Sequence, residues 1–108
     1  MKGGNAMIQN ASAGGKMRVD LCVYTGLREV NAKSFFIKSF YVSSALLRPG
    51  TIIPPGGFSS NLGRLRQGVV TDVSGNGKAT RVWVWTESHE ADLRDCLLPD
   101  GWQEVTSN

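Results

Sequence analysis

Hydrophobic and polar residues alternate along several segments of this chain, which is the pattern of β-strands that bury one face. The clearest alternation runs over residues 17–24, and residues 30–47 are rich in aromatic and β-branched side chains that favour one or two further strands. Shorter strands are predicted at 51–53, 65–74, 80–86, 92–98 and 101–105. The pattern therefore predicts an all-β protein.

A β-hairpin with a Gly-Asn-Gly turn at residues 75–77 is the least ambiguous element, because such a turn supplies residues that tolerate positive φ. Its second strand carries Val82 and Val84 on one face and Trp83 and Trp85 on the other. Both faces are apolar. We expect one face in the core and the other covered by the N-terminal region or by a partner.

The order of motifs in the second half of the chain carries a resemblance to a known fold. A Pro-Gly pair at 49–50 precedes one predicted strand, Gly-Val-Val at 68–70 opens the next, and Val-Trp-Val-Trp at 82–85 forms the third. Over residues 46–105 this order resembles the small five-stranded barrel of the Src-homology-three and KOW/Tudor type. The resemblance implies a small, partly open barrel, and this superfold hosts many unrelated functions.

Three parts are expected along the chain: a flexible glycine-rich arm at 1–16, a strand-rich N-terminal extension at 17–45 and the small barrel at 46–108. A chain of 108 residues has room for a single core. No apolar stretch approaches the roughly 20 residues of a membrane helix, and the N-terminus lacks the order of a secretory signal. We expect a cytoplasmic or particle-associated protein without a membrane partner.

Charge is divided unevenly along the chain. The chain has twelve Lys and Arg residues and nine Asp and Glu residues, which gives a net charge of +3. Nine of the basic residues and only two of the acidic ones precede position 67, so the first part carries +7 and the rest −4. A basic half suits nucleic acid phosphates or the acidic half of a neighbouring copy, and an unevenly charged solvated surface is the third interpretation.

The first functional hypothesis is a non-enzymatic protein-interaction or assembly module that self-associates through aromatic surface. Small barrels of the type it resembles are common among phage and mobile-element products, which implies such a setting for this chain. The expected anchors are Trp83, Trp85, Phe58 and Tyr41, because large aromatic side chains dominate interface energetics. Core packing is the alternative role of either tryptophan.

The second hypothesis is a KOW-like nucleic-acid-binding module. Basic residues lie near both ends of the hairpin and would contact phosphates, with an aromatic ring to stack on bases. These residues are Arg64, Arg66, Lys78 and Arg81. Nearby acidic residues such as Asp72 oppose phosphate binding, and a solvated face is the alternative interpretation.

The third hypothesis is a small oligomeric enzyme. Plasmid-borne type II dihydrofolate reductases have a barrel of this general kind and rely on a Gln-Ile-Tyr segment. That tripeptide does not occur here, and Gln67 stands in Arg-Gln-Gly-Val instead, so the activity is not carried over. The single histidine, His89, lies on a polar turn where an idle imidazole is expected. We expect no enzyme activity and no cofactor.

Metal and disulfide chemistry are not indicated either. An acidic group near the C-terminus lacks the spacing of a calcium loop; its members are Glu87, Glu90, Asp92 and Asp95. Cys22, Cys96 and His89 together offer three zinc ligands, one fewer than the four of a structural zinc site. Both cysteines lie among apolar residues on predicted strands, where free buried thiols are common.

Overall fold

The computed structural model describes residues 16–26, 28, 34–43, 48–54, 56, 65–75 and 80–106. The strands are β1 (Lys16–Tyr24), β2 (Ser34–Ser43), β3 (Ile52–Ile53), β4 (Gly68–Ser74), β5 (Arg81–Thr86) and β6 (Gln103–Thr106). One helix, α1 (Glu90–Leu97), and a 3₁₀ turn over Leu98–Asp100 precede β6. Within the described ranges, no helix is long and apolar enough to span a bilayer. Lys16 opens β1, and residues 1–15 of the predicted arm lie outside the described residues.

The six strands form a single mixed sheet in the order β3-β4-β5-β1-β2-β6. All neighbours are antiparallel except β1 and β5, which run parallel. The all-β class is confirmed. The strands β1 and β2, predicted as an extension, lie in the same sheet as β3 to β6. Since β3 and β6 are the two end strands of the described pairing, closure into a barrel stays a prediction.

The strand predicted at Asp92–Leu98 is wrong, because these residues form α1 and the first residue of the 3₁₀ turn. Leu93, Cys96 and Leu97 follow the spacing of one helical face and are buried. Carboxylates in the first turn of α1 suit the positive end of the helix dipole. Cys96 therefore lies on a helix, and Gly101, at φ 90°, ends the 3₁₀ turn before β6.

The main core lies between the sheet and α1. Alternate residues of β1, β2, β4 and β5 point toward the helix, together with Trp102. Its buried members include Val19, Leu21, Val23, Phe36, Val70, Val82, Val84, Leu93, Cys96, Leu97 and Trp102. The predicted antiparallel pairing of β4 and β5 is confirmed, with an irregularity between Val70 and Asp72. Asn76 and Gly77 of the predicted turn lie outside the described residues. The valine face of β5 is thus the core face.

A closed ring of hydrogen bonds ties the end of β5 to the segment before β4. Arg66 N–H donates to Ser88 Oγ at 2.8 Å, and Thr86 Oγ1 donates to Arg66 O at 3.2 Å. The Thr86 and Ser88 hydroxyl oxygens are 2.9 Å apart. The Thr86 hydroxyl proton is donated to the Arg66 carbonyl, so the Ser88 hydroxyl must be the donor in the bond between the two hydroxyls. Each hydroxyl proton is then used once. Thr25 Oγ1 adds a bond to Ser88 O at 2.8 Å.

Candidate interaction surface

The sheet face opposite α1 carries a second hydrophobic cluster, which we call the aromatic face. Its buried members are Cys22, Tyr24 and Phe35, and its partly buried members are Ile37, Trp83, Trp85 and Val105. The side chains converge because β1 pairs with β2 on one side and with β5 on the other. In these pairings Cys22 lies opposite Ile37 of β2 and opposite Trp83 of β5. Both tryptophans predicted as anchors are therefore on this face, packed into it and partly exposed.

Aromatic contacts fix the position of Trp83. Its ring lies 4.9 Å from that of Phe35 with an interplanar angle of 68°, and 6.1 Å from that of Tyr24 at 75°. Both arrangements are edge-to-face, the favourable geometry for the quadrupoles of aromatic rings. Trp83 thus packs against other aromatic rings while part of its own ring stays exposed. The two roles predicted for it, core packing and interface anchor, are therefore not mutually exclusive.

Residues after β1 hold Trp85. The indole Nε1 donates to Gly26 O at 2.9 Å, and the guanidinium carbon of Arg28 lies 4.4 Å from the ring centroid. This is the geometry of a cation–π contact. Sequence reasoning missed the pair because the two residues are 57 positions apart and neither carries a motif.

Tyr41 is the most exposed of the three predicted anchors that the structure describes. It lies on β2, on the same sheet face as the aromatic face, and 71% of its surface is exposed. Arg18 lies opposite it on β1. The Arg18 guanidinium donates to Ser39 Oγ at 3.4 Å, and the Ser39 hydroxyl donates to Asp20 Oδ1 at 2.7 Å. A polar strip therefore separates Tyr41 from the aromatic face.

One edge of β2 is only partly covered. β6 pairs with Ser34–Ile37, and in the described part of the chain no strand pairs with Lys38–Val42 on that side. A groove of about 360 Å³ opens where β6 begins. It is lined by Arg18, Asp20, Ile37, Lys38, Ser39, Gly101 and Gln103. The exposed Tyr41 thus belongs to an open strand edge.

Two of the four basic residues predicted to contact nucleic acid are described, and they lie far apart. Arg66 is next to Thr86 at the end of β5, and Arg81 begins that strand. Five residues of extended chain place them roughly 17 Å apart. Arg81 also lies opposite Asp20 in the sheet. Arg64, Lys78 and the predicted anchor Phe58 lie outside the described residues.

The C-terminal acidic residues are partly engaged in ion pairs. Arg94 on α1 contacts Glu104 on β6 at 2.8 Å and Glu90 at 3.1 Å. The guanidinium holds the pKa of the Glu104 carboxyl below its ordinary value, chiefly through the hydrogen bond. Among the described residues, no group of three or more His, Cys, Asp or Glu side chains is placed to hold a metal ion.

The remaining candidate side chains occupy structural positions. His89 is the exposed N-cap residue of α1, and its side chain makes no capping hydrogen bond. Cys22 and Cys96 are both free and buried, which confirms the expected thiols. Burial raises the pKa of the Cys22 thiol to about 11, although the charge of Arg81 opposes the shift. Cys22 is therefore a neutral core side chain at ordinary pH.

Comparison of the chain with protein-family models, with curated proteins and with solved structures finds no match. The resemblance to Src-homology-three-like barrels stays a prediction.

Proposed function

We propose that this protein is a non-enzymatic interaction module that assembles with copies of itself. The observation that carries the proposal is Tyr41, a large aromatic side chain left 71% exposed near the C-terminal end of a ten-residue strand. Tyrosine at such a position combines a large apolar ring with a polar tip, a combination that is enriched in protein interfaces. Phage or mobile-element particles, which the sequence resemblance suggests, remain the proposed setting.

A second copy is the partner that the charge distribution favours. The part of the chain before position 67 carries +7 and the part after it −4, so each copy offers both members of a complementary pair. On the sheet face that bears Tyr41, Arg18 and Arg81 contribute positive charge. The opposite side carries the acidic first turn of α1, with Glu90 and Asp92.

Light scattering coupled to size-exclusion chromatography tests the proposal. We expect the mean mass of the wild-type chain to rise above 11.7 kDa between micromolar and millimolar concentration. A Tyr41→Ser variant should shift this rise to higher concentration, because it removes the exposed ring. Ile52→Ser, at another exposed apolar residue, is the matched control and should not move it.

Two results would contradict the proposal. A wild-type chain that stays monomeric over the whole concentration range is not self-associating. Equal effects of Tyr41→Ser and Ile52→Ser would mean that general surface hydrophobicity, and not this strand, drives the association. Binding of single- or double-stranded nucleic acid at low salt by a strictly monomeric chain would favour the nucleic-acid hypothesis instead.

A further inference from the structure

The outward face of α1 combines an apolar residue with a carboxylate. Ala91, Asp95 and Leu98 follow the i, i+4, i+7 spacing of one helical face, opposite the buried face that packs on the sheet. All three residues are exposed, and Leu98 keeps helical backbone angles at the C-terminal end of α1. We call these three residues the outer stripe. Its leucine is a large apolar side chain, 39% exposed, within one helical turn of a carboxylate.

The outer stripe lies in a surplus of negative charge. The helix carries three carboxylates and one guanidinium. The carboxylates are those of Glu90, Asp92 and Asp95, and the guanidinium is that of Arg94. Some of these groups interact within the chain, as Arg94 does with Glu90. Those contacts leave the net charge of the helix negative, so the outer stripe attracts a positively charged surface.

The other side of the sheet carries matching side chains around Tyr41. Arg18 is the cross-strand neighbour of Tyr41, and both are exposed on the same face. Lys16 and Arg81 add two exposed positive charges on that face, beside the partly buried carboxylate of Asp20. We call Lys16, Arg18, Tyr41 and Arg81 the Tyr41 patch. It presents a large ring next to positive charge, whereas the outer stripe presents an apolar side chain next to negative charge.

The two surfaces also match in spacing. Cross-strand neighbours such as Arg18 and Tyr41 have Cβ atoms about 5 Å apart. Residues at i and i+3 of a helix, such as Asp95 and Leu98, are separated by about 5–6 Å. A partner helix laid across the strands therefore sets Leu98 on the Tyr41 ring and Asp95 on the Arg18 guanidinium. The acidic first turn of that helix then extends over β5, at whose start Arg81 lies.

We propose that copies of this chain assemble head to tail, with the outer stripe of one copy docked on the Tyr41 patch of the next. The inference rests on the proposed self-association and specifies its contact. The two surfaces lie on opposite sides of the sheet, so every added copy leaves one of each exposed and a third copy can join. The assembly is therefore an open row of copies and not a closed dimer.

Charge reversal on each side tests the contact. Arg18→Glu and Asp95→Lys each place like charges opposite each other, so each variant alone should associate about tenfold more weakly than the wild type. An equimolar mixture of the two variants should recover association, because every interface in an alternating row then joins opposite charges. Recovery also shows that both variants fold. Arg48→Glu, the same charge change at an exposed residue before β3, is the matched control and should associate like the wild type.

Analytical ultracentrifugation over a concentration series measures the association of the wild type, the variants and the mixture. The mean mass of the wild type should pass twice the 11.7 kDa of one chain at high concentration. Salt at about 1 M, which screens charges beyond about 3 Å, should shift this rise to higher concentration. A wild-type mass that levels off at two copies overturns the open row.

The outcomes separate this inference from the proposed function. A wild-type chain that is monomeric at every concentration overturns both. An oligomer that neither charge reversal weakens overturns the contact but not self-association, and a mixture that associates as weakly as the separate variants does the same. Binding of a single-stranded oligonucleotide by the wild type but not by Arg18→Glu, without self-association, gives the Tyr41 patch a different partner and also overturns the inference.

Discussion

Removal of the Ser88 hydroxyl tests the hydrogen-bond ring that joins β5 to the segment before β4. Ser88 is 2% exposed and Thr86 is 0% exposed, so water replaces few of the lost bonds. Ser88→Ala removes the bond from Arg66 N–H at 2.8 Å and the bond to Thr86 Oγ1 at 2.9 Å. It leaves the Thr25 bond to the Ser88 carbonyl intact, because that acceptor is main chain.

The expected cost follows from this count. Two hydrogen bonds of about 0.5–1.5 kcal/mol each give a loss of about 2 kcal/mol in the free energy of unfolding. For a chain of this size that loss lowers Tm by roughly 9 °C. Thr86→Val removes two bonds of this ring and also the bond that Ser88 N–H donates to Thr86 Oγ1 at 3.2 Å, so it should cost somewhat more. The double variant should cost about 1 kcal/mol less than the sum of the two single variants, since one bond is shared.

Urea denaturation followed by tryptophan fluorescence measures these values. The exposed Ser74 on β4 provides the control, and Ser74→Ala should stay within about 0.5 kcal/mol of the wild type. A Ser88→Ala variant equally close to the wild type would refute the ring as a source of stability. Full additivity of Thr86→Val and Ser88→Ala would refute the direct bond between the two hydroxyls.

Two further predictions concern α1 and the buried thiol. Leu93→Ala should lower the free energy of unfolding by about 2–4 kcal/mol, because the Leu93 side chain is fully buried between α1 and the sheet. Leu98→Ala, at 39% exposure, should cost less than about 1 kcal/mol. Equal urea midpoints of the two variants would refute the packing of the helix on the sheet. In a Cys96→Ala background, Cys22 should react with a disulfide reagent at pH 8 only after unfolding, and rapid reaction would contradict its burial. Since the folded pKa of Cys22 is raised, it contributes stability below about pH 9 that is lost toward pH 11, and Cys22→Ala should lack this step.

Local patterns predicted most of the strands but not the helix. Period-two alternation in β1 and β5 depends on neighbouring residues, so the sequence was sufficient for both. In α1, leucines at 93 and 97 fit both a strand and a helix, because the segment is too short for the two periods to separate. Burial of Cys96 together with Leu97 is what distinguishes the helical face.

The candidate surface was predictable only as far as single strands determine it. The second apolar face of β5 followed from Trp83 and Trp85, and Tyr41 was named as an anchor from its residue type. The packing of Phe35 against Trp83 and of Arg28 against Trp85 depends on pairing between distant segments. The edge of β2 beyond Ile37 is left without a β6 partner because β6 is short and its pairing with β2 ends at Ile37. Such pairings leave no signal in a local pattern.

The position of β1 has a consequence for synthesis. β1 lies between β2 and β5, and residues such as Asp20 and Arg81 that meet in this pairing are about 60 positions apart. While the chain emerges from the ribosome, Val19, Leu21 and Val23 therefore lack their β5 neighbours until about 60 further residues have been made. Closure of so long a loop is entropically costly and slow. The sheet should consequently be completed only after β5 has left the ribosome, and the nascent β1–β2 pair is the stage at which a chaperone would be needed most.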